Sequence, residues 1–429
     1  MSIYDKASLV HIPSGYKSGT LYNVLPNDAD GDFDFTRAST ATRVNKDGLI
    51  ETVASGVPRL DYPLLDGVVQ DCPTLLLEPQ RTNSVPYSND FNQHSISGGS
   101  ITSDNITSPD GSVNSDTFVE DTANSQHRIR EDISVSAGTY TMSVFVKGTD
   151  RFISLYPQSA GSAYAVFDIE NAAITKTGGS DYVDSKIEDY GNGWYRCILT
   201  YDVSAGTSFL HIYLSDKGTG TSAEAPTYTG NGSEMSFYGL QLEAGSYPTS
   251  YIPTSGATIT RSADVCNGAE ADFNDSEGVL YANIAALAQT GRIALNDGTT
   301  SNNVRFVYNS GTNRIDAILF NGSNQASLQY TLPTEGLFNK IAFKYKPSDF
   351  ALYVDGFEVV SQTGSGTTFP SGTLSELDFD AGSSGLVPFY GKTKEVIAFN
   401  EALSDTELEA LTSYDSFNEM ATEQLYTLK

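Results

Sequence analysis

Residues 238–264 read YGLQLEAGSYPTSYIPTSGATITRSAD, and this stretch separates two strand-rich regions of the chain. Its first part, GLQLEAG, predicts the last strand of the region before it, and its last part, ATITRSAD, predicts the entry to the region after it. Between them, Pro248 and Pro253 restrict their own φ angles and push the preceding residues toward extended conformations. We therefore expect a stiff connector that fixes the angle between two domains.

The composition favours β-structure. The chain has 429 residues, which is too long for a single ordinary core, so two or three domains are expected. It contains 38 Gly and 25 Tyr and is rich in Thr and Ser, which favours short strands joined by tight turns. The predicted fold class is all-β: two tandem antiparallel β-sandwiches of the jelly-roll type after an irregular N-terminal head, with one short C-terminal helix.

Charge and cysteine content exclude several classes of partner. A net charge of −28 argues against nucleic acid and anionic membranes, which both need a basic protein face. The longest aliphatic run, LLL at residues 75–77, is too short to cross a bilayer, and the N-terminus lacks the apolar core of a signal peptide. Cys72, Cys197 and Cys266 are odd in number and widely spaced, which favours neither a disulfide framework nor zinc. We expect synthesis in a reducing cytoplasm and no membrane insertion.

The predicted organisation has five parts. They are an N-terminal attachment or assembly segment (1–85), a first jelly roll (86–250), a Pro-containing linker (251–261), a second sandwich (262–413) and a C-terminal tail (414–429). The head has too little continuous apolar pattern for a free-standing domain, so we expect it to pack on the next domain or on another protein.

Hairpins are predicted wherever Asn or Asp precedes Gly between strand-like runs. In the head, Asp47-Gly48 predicts a hairpin with a type I′ turn. In the second sandwich, the same signal recurs at residues 296–298, 321–322 and 355–356.

A short helix is predicted close to the C-terminus. Ser404 and Glu407 have the spacing of a capping box, and Leu403 with Leu408 has the spacing of a hydrophobic staple. Leu411 extends the apolar face. A second capping box is predicted in the tail, from Ser416 to Glu419.

Strands of the first sandwich alternate between an aliphatic face and a mixed aromatic-polar face. The aliphatic side chains should meet in the core: Tyr140, Met142, Val144, Val146, Ile153, Leu155, Leu210, Ile212 and Leu214. The other face carries the candidate glycan-binding residues: Phe145, Tyr156, Phe209, His211 and Tyr213, with Lys147 and Gln158 as hydrogen-bonding partners. A pyranose suits such a face because it has one apolar side and polar edges. The alternative is that the head or a sister subunit covers this face.

Trp194, the single tryptophan, is a further candidate sugar platform. It follows a turn and enters a strand, so packing in or beside the core is the alternative.

Three carboxylates, Glu376, Asp378 and Asp380, alternate along one strand and resemble the acidic pattern of retaining glucanases. Such enzymes use one carboxylate as nucleophile and another as acid/base. Here the last residue is Asp, and the domain holds no tryptophan for a sugar cleft. Leu377 and Phe379 explain the pattern equally well as a core strand with a solvated acidic face, so no catalytic residue is predicted.

Calcium is the one metal that the sequence leaves open. Asp28, Asp30 and Asp32, and Asp104 with Asn105, offer oxygen ligands, but neither cluster has EF-hand spacing. Turn formation accounts for both clusters equally well. No other cofactor is predicted.

Three parts of the chain resemble known families. FTRASTATRVNKDGLIETV (35–53), PRLDY (58–62) and CPTLLLEPQRTN (72–83) look like the opening of bacteriophage and prophage virion proteins. GNGWYRCILTYDV (191–203), followed by GLQLEAGSYPTSYIPTSG, resembles jelly-roll carbohydrate-binding modules of phage proteins over about residues 110–260. FNKIAFKYKPSDFALYVDGFEVV (338–360) and PFYGKTKEVIAFNEALSDTELEALT (388–412) resemble laminin G-like, concanavalin A-like lectin domains.

These resemblances imply a non-enzymatic phage tail-fibre, spike or head-fibre protein that binds a host cell-surface polysaccharide. Its head would attach to other virion proteins, and several weak sites would favour a homo-oligomer, expected to be a trimer. The alternatives are a purely structural decoration or spacer protein and a polysaccharide depolymerase.

Overall fold

The computed structural model describes residues 3–17, 19–158, 162–204, 206–216, 224–382 and 385–414. These residues form mostly antiparallel strands, together with one α-helix, Asp405–Thr412, and three short 3-10 helices, Ile3–Lys6, Phe91–Gln93 and Ser310–Thr312. The predicted all-β class is confirmed. No helix among the described residues has the length and apolarity needed to cross a membrane.

Two sheets form the first sandwich. Sheet 1A contains, in spatial order, the strands Ser95–Ser97, Arg128–Val135, Gly206–Ser215, Phe152–Gln158, Tyr164–Asp168 and Ala173–Gly178. Sheet 1B contains Gly99–Thr107, Val113–Glu120, Glu234–Ala244, Gly138–Lys147, Tyr195–Val203 and Tyr182–Asp189. Many neighbouring strands are distant in sequence, so the chain passes repeatedly between the two sheets, as in a jelly roll.

The core of this sandwich contains the predicted aliphatic faces. Met142, Val144, Ile153 and Leu155 have no exposed surface, and they belong to one buried cluster that also holds the predicted residues of strand Gly206–Ser215. The prediction of these inward faces is therefore confirmed. By alternation, the residues between them lie on the outer faces of the two sheets.

The second sandwich also consists of two large sheets. Sheet 2A contains Phe357–Thr363, Asp349–Val354, Asn339–Tyr345, Gly278–Ala286, Gly391–Phe399, Thr74–Leu77 and Arg59–Asp61, and Ala7–His11 also pairs with Gly391–Phe399. Sheet 2B contains Ala269–Glu270, Glu376–Asp378, Gly291–Asn296, Asn302–Asn309, Arg314–Asn321 and Asn324–Thr331.

The head thus supplies three strands to sheet 2A, although the whole first sandwich separates them in sequence from the rest of that sheet. Leu75 pairs with Thr393, and Val10 pairs with Ile397. The head residues Leu9, Phe33 and Leu75 are buried in the same core cluster as the second sandwich. Part of the predicted attachment segment is therefore a structural component of the C-terminal sandwich.

Two smaller sheets tie the head to segments that follow the first sandwich. In one, Arg81–Asn83 pairs with Ile259–Arg261; the other contains, in spatial order, Tyr16–Lys17, Thr20–Leu21, Phe33–Thr36 and Val265–Asn267. Three further two-stranded sheets pair Ala41–Val44 with Ile50–Val53, Leu64–Leu65 with Val68–Val69, and Asn124–Ser125 with Tyr228–Thr229.

The predicted hairpins form, with one correction of turn type. Residues 355–356 form a tight turn in which both Asp355 (φ 48°) and Gly356 (φ 89°) have positive φ. The hairpin of the head instead closes with the Gly48 N–H donating to the Asn45 carbonyl, and within that turn only Gly48 has positive φ. A type I′ turn needs two central residues with positive φ, so the predicted turn type at Asp47-Gly48 is wrong.

The predicted helix is confirmed. The Ser404 side chain accepts the Glu407 N–H, and the Glu407 carboxylate accepts the Ser404 N–H at 2.9 Å, which completes the capping box. Leu403 and Leu408 are buried together against sheet 2A. The second capping box, predicted from Ser416 to Glu419, lies outside the described residues.

The connector is held by a buried ionic cluster as well as by its prolines. Glu78 of the head accepts hydrogen bonds from Arg59 (2.5 Å), Arg261 (2.5 Å) and the Ser250 hydroxyl (2.7 Å). Asp264 pairs with Arg59 and also accepts the Glu78 backbone N–H at 2.8 Å. The arginine and carboxylate side chains of this cluster are almost completely buried.

Arg37 adds a third head residue to the cluster through its ion pair with Asp264 at 3.0 Å. Burial alone would raise the pKa of Glu78, but the charges of Arg261 and Arg59 outweigh burial and hold that pKa well below its ordinary value. The cluster joins three sequence-distant head segments to both ends of the connector.

Candidate functional site

The six predicted glycan-binding residues lie on two different outer faces of the first sandwich. Phe145 and Trp194 belong to sheet 1B or its edge, whereas Tyr156, Phe209, His211 and Tyr213 lie on the outer face of sheet 1A. The predicted partners divide in the same way: Lys147 is on sheet 1B, and Gln158 is on sheet 1A. The prediction of one continuous face is therefore wrong, because the strands that carry these residues belong to opposite sheets.

Phe145 and Trp194 are covered. Phe145 is 1% exposed and Trp194 is 2% exposed, and both pack with Ile50 of the head hairpin and with Tyr238 and Tyr251. The head and the connector therefore close the outer face of sheet 1B at this point. Neither ring offers a surface for a sugar.

The Trp194 indole N–H donates to the Thr107 carbonyl at 3.0 Å, so its polar group is satisfied inside the protein. Trp194 therefore packs inside the protein, which was the alternative to a sugar platform.

The remaining four residues form cross-strand rows on sheet 1A. In the first row, Arg130 pairs with His211, His211 pairs with Tyr156, and Tyr164 lies next along. A second row consists of Arg128, Tyr213, Ser154, Val166 and Lys176. In a third, Phe209 lies between Asp132 and Gln158. We call this surface the outer 1A face.

Aromatic rings are packed side by side on the outer 1A face. The rings of His211 and Tyr213 stack with centroids 5.2 Å apart and an angle of 19° between their planes. Tyr156 lies 6.2 Å from His211, 6.1 Å from Tyr213 and 6.3 Å from Tyr164, measured between ring centroids. Tyr156 is half-buried at the centre of the group, so one part of its ring is in solvent.

Each of three basic side chains lies over one of the rings. The Arg130 guanidinium is 4.4 Å from the Phe209 centroid, and the Arg128 guanidinium is 5.7 Å from that of Tyr213. The Lys176 ammonium is 5.3 Å from the centroid of Tyr164. These cation–π contacts fix the positions of the charges.

His211 is neutral at physiological pH. Burial, followed by the positive charges of Arg128 and Arg130, lowers its pKa to about 4. Among the described residues its Nδ1 atom has no hydrogen-bond partner, and the same holds for the buried hydroxyls of Ser154 and Ser215 on this face. A buried polar atom without a partner costs stability unless water or a ligand group satisfies it.

One end of the outer 1A face is crossed by the chain itself. The Glu224 carboxylate binds Lys176 at 2.6 Å, and the next carbonyl, of Ala225, accepts a hydrogen bond from Gln126 at 3.4 Å. His211 and Tyr213 are each 3% exposed. The more accessible part of the face is therefore the row through Tyr156, together with Phe209 and Gln158.

The acidic triplet of the second sandwich is a structural element. Asp378 is buried and accepts the Gly268 N–H at 2.6 Å and the Asn296 side-chain amide at 2.9 Å. Asp380 is also buried and accepts the backbone N–H groups of Gly382 and Gly385 at 2.8 and 2.7 Å. The expectation of a solvated acidic face is wrong, because loop amides surround these two carboxylates.

Glu376 differs from its two neighbours. Burial, followed by the charge of Asp378, raises its pKa to about 7. A retaining mechanism needs a second carboxylate that is free to act, and both Asp378 and Asp380 are held by hydrogen bonds.

The first candidate calcium cluster, Asp28 to Asp32, forms a turn, whereas Asp104 and Asn105 lie within the strand Gly99–Thr107, at an irregularity of its pairing. Asp28 accepts the Gly31 N–H at 3.1 Å, Asp32 accepts the Asn23 N–H at 2.7 Å, and the Asp104 N–H donates to Asp116 at 3.0 Å. No group of three or more His, Cys, Asp or Glu side chains suited to a metal occurs in the described part of the chain.

A cleft of about 960 Å³ lies between the sandwiches, lined by the head, residues 246–251 and both sandwiches. Four of its charged side chains form two ion pairs, Lys392 with Asp61 (3.0 Å) and Lys186 with Glu188 (2.8 Å). Five aromatic side chains line the cleft, but among the described residues no two of these five form a ring–ring contact with each other. The rings on sheet 1A do form such contacts, so we place the candidate site on the outer 1A face.

Arg128, Arg130, Tyr164 and Lys176 were not among the predicted residues. Strand RIREDISV carries a usable signal, because Ile129 and Ile133 point inward and so place both arginines outward. Which strand lies beside it depends on long-range pairing, which a single sequence does not show.

Residues 280–409 match the model of the concanavalin A-like lectin/glucanases superfamily. This segment covers most of the second sandwich, which therefore has the laminin G-like, concanavalin A-like fold that its sequence resembles. The segment is less than half of the chain, so the match concerns this sandwich alone. No curated protein sequence matches the chain.

Solved structures with similar folds are distant. The CBM40 module of a Ruminococcus gnavus IT-sialidase, bound to α2,3-sialyllactose, is 16% identical, covers 33% of this chain and 84% of its own, and has a TM-score of 0.29. Domain 4 of a Geobacillus stearothermophilus arabinanase, in complex with arabinotriose, is 13% identical, covers 39% of this chain and 84% of its own, and has a TM-score of 0.24. Domains LG4-5 of the mouse laminin α1 chain are 11% identical, cover 66% of this chain and 89% of their own, and have a TM-score of 0.23. At these TM-scores the likenesses do not bear on ligand or activity.

Proposed function

We propose that this protein is a non-enzymatic appendage of a bacteriophage virion that binds a polysaccharide of the host cell surface. The observation that carries the binding part of this proposal is the outer 1A face. Tyr156, Tyr164 and Phe209 provide rings on one sheet, and Gln158 and Arg130 lie beside them as hydrogen-bond donors. A sugar ring would place its C–H side on a tyrosine and its hydroxyls toward the polar neighbours.

The virion part of the proposal rests on the sequence blocks of the head. Those blocks carry the resemblance to the opening of phage and prophage virion proteins. The lectin-like fold of the second sandwich is compatible with a receptor-binding appendage, although fold alone does not define function. In the proposed virion the head contacts other virion proteins.

We further propose a homo-oligomer, with a trimer as the first expectation. A single shallow face binds sugars weakly, and several copies that engage one polysaccharide raise the overall avidity. Sedimentation of the purified full-length protein tests this part separately: a trimer supports it, and a monomer at all concentrations contradicts it.

The test of binding is a glycan array with the full-length protein and a Tyr156→Ala/Tyr164→Ala variant. Each ring is expected to contribute about two- to tenfold in affinity, so the variant should lose most of its signal. Tyr22→Ala is the matched control, because Tyr22 is an exposed tyrosine of the head and follows the strand Thr20–Leu21, which belongs to a different sheet from 1A. An unchanged signal in the double variant would contradict the proposed face.

The burial of His211 and Tyr213 favours a second candidate, a structural spacer without a ligand. In that case folded wild-type protein gives no array signal.

A depolymerase is tested by release of reducing ends from host polysaccharide, compared between the wild type and Asp378→Asn. The hydrogen bonds of Asp378 lead us to expect no release from either protein.

A further inference from the structure

We infer that the glycan bound by the outer 1A face is acidic and carries carboxylate groups on its sugar units. This inference rests on the function proposed above, and it specifies the class of ligand for the same face. It comes from a comparison of three cationic side chains on this face, namely of the aromatic ring and the carboxylate that each one contacts.

The chain as a whole repels anions, since it has 53 acidic and 25 basic residues. The outer 1A face departs from this balance, because Arg128, Arg130 and Lys176 all project from it. Asp132 and Glu224 pair with two of these cations, so Arg128 is the member of the group whose charge remains to attract an anionic group, on a protein surface that otherwise repels anions.

Two of the three cations have the same surroundings. Arg130 lies over the ring of Phe209 and forms two hydrogen bonds to Asp132, at 2.6 and 2.8 Å. Lys176 lies over a tyrosine ring and binds the Glu224 carboxylate at 2.6 Å. In each case the cation lies over an aromatic ring, and a carboxylate pairs with the cation and neutralises its charge.

The third cation repeats this arrangement without the carboxylate. Arg128 lies over the ring of Tyr213, and its Nη1 donates to the Tyr213 hydroxyl at 2.9 Å. Among the described residues no carboxylate lies within 4.0 Å of its guanidinium. A guanidinium has five N–H donors in a planar fork that fits a carboxylate, and within the described part of the chain Arg128 makes no hydrogen bond other than the one to Tyr213.

Arg128 and Tyr156, the proposed sugar platform, lie on strands that the strand Gly206–Ser215 separates, with the ring of Tyr213 between them. The ring of Tyr213, under Arg128, is 6.1 Å from the ring of Tyr156. These are neighbouring positions on one sheet, so a sugar that stacks on Tyr156 can direct a ring carboxylate toward Arg128. We therefore assign stacking to Tyr156 and recognition of the acidic group to Arg128.

The test uses carboxylated polysaccharides and the same polymers after chemical reduction of their carboxyl groups. Suitable pairs are polygalacturonate, alginate, hyaluronate and polysialic acid, each with its reduced form, added to a standard array of neutral glycans. Wild-type protein should bind at least one carboxylated polymer and lose about tenfold or more of its affinity for the reduced form.

Two variants locate the effect. Arg128→Gln should remove the preference for the carboxylated form, and Arg128→Lys should retain part of it together with its sensitivity to salt. Arg314→Gln is the control, since Arg314 is a surface arginine of the second sandwich, paired with Asp316. Unchanged melting temperatures show that the variants fold.

The outcomes separate the two proposals. Binding to neutral or reduced glycans with equal affinity overturns the inference and leaves the proposed function standing. A carboxylate preference that survives in Arg128→Gln also overturns it. Absence of binding to every neutral and acidic glycan overturns the proposed function and the inference together.

Discussion

Arg59 of the head and Asp264 of the connector form an ion pair in which both side chains are completely buried. They are separated by 205 positions in the sequence. Around them lie Glu78, Arg261 and Arg37, so this pair stands at the centre of the cluster that joins the head to the connector. Removing one member of such a cluster leaves an uncompensated buried charge.

Arg59→Met should therefore destabilise the protein by about 3 to 5 kcal/mol. Arg43→Met, in the same head, removes a partly exposed pair with Glu51 and should cost no more than about 1 kcal/mol. Urea unfolding, monitored by the fluorescence of Trp194, measures the free energy of unfolding of both variants, because Trp194 packs with the head residue Ile50. Equal effects of the two substitutions would contradict the role of the cluster.

The same cluster predicts loss of stability in acid. The folded-state pKa of Glu78 lies below its ordinary value of 4.5, so the unfolded chain takes up the proton first as pH falls. Its contribution is complete above about pH 4.5 and declines below that value. Unfolding of the wild type and Glu78→Gln at pH 7 and pH 3 checks this. The variant should be much less stable at pH 7, and the difference should narrow at pH 3.

His211 predicts a second, separate pH window. Its folded-state pKa of about 4 lies below the ordinary 6.5, so between these values the unfolded state binds more protons. Stability should therefore fall as pH decreases from 6.5 toward 4. His211→Gln should remove the His211 share of this pH dependence; the share of His11, whose burial also lowers its pKa to about 4, should remain, together with the steeper loss below pH 4.5. NMR titration of the imidazole gives the pKa directly, and a value near 6.5 would count against burial of this ring.

The helix cap gives a local prediction. Ser404→Ala removes the capping hydrogen bond to the Glu407 N–H and should cost about 0.5 to 2 kcal/mol. Glu409→Ala, at an exposed position of the same helix, should stay within about 0.5 kcal/mol of the wild type. Thermal unfolding of the two variants makes the comparison. An equal change in melting temperature in the two variants would argue against a stabilising role of the Ser404 cap.

Local patterns in the sequence predicted those parts of the fold that depend on neighbouring residues. Met142 and Val144 alternate with Thr141 and Ser143, and the strand lies with Met142 and Val144 inward. Ser404 and Glu407 define the start of the helix. The place of the head could not be predicted in this way. Leu75 pairs with Thr393 across more than 300 positions, and no local pattern indicates such a contact.

The candidate site shows the same division. The aromatic-polar alternation around Tyr156 and His211 was visible in the sequence, but the sheet to which each strand belongs was not. Phe145 has the same alternation and lies on the opposite sheet, where Ile50 and Tyr251 cover it. The stiffness of the connector was predicted from Pro248 and Pro253 alone, because the buried charges that also hold it belong to residues far apart in sequence.

We propose that a glycan binds the outer 1A face. The most direct measurement is the crystal structure of the full-length protein with the glycan that gives the strongest array signal. We predict a sugar ring against Tyr156, with its acidic group toward Arg128. A sugar found instead in the cleft between the sandwiches, beside Lys392 and Asp61, would contradict binding at the outer 1A face.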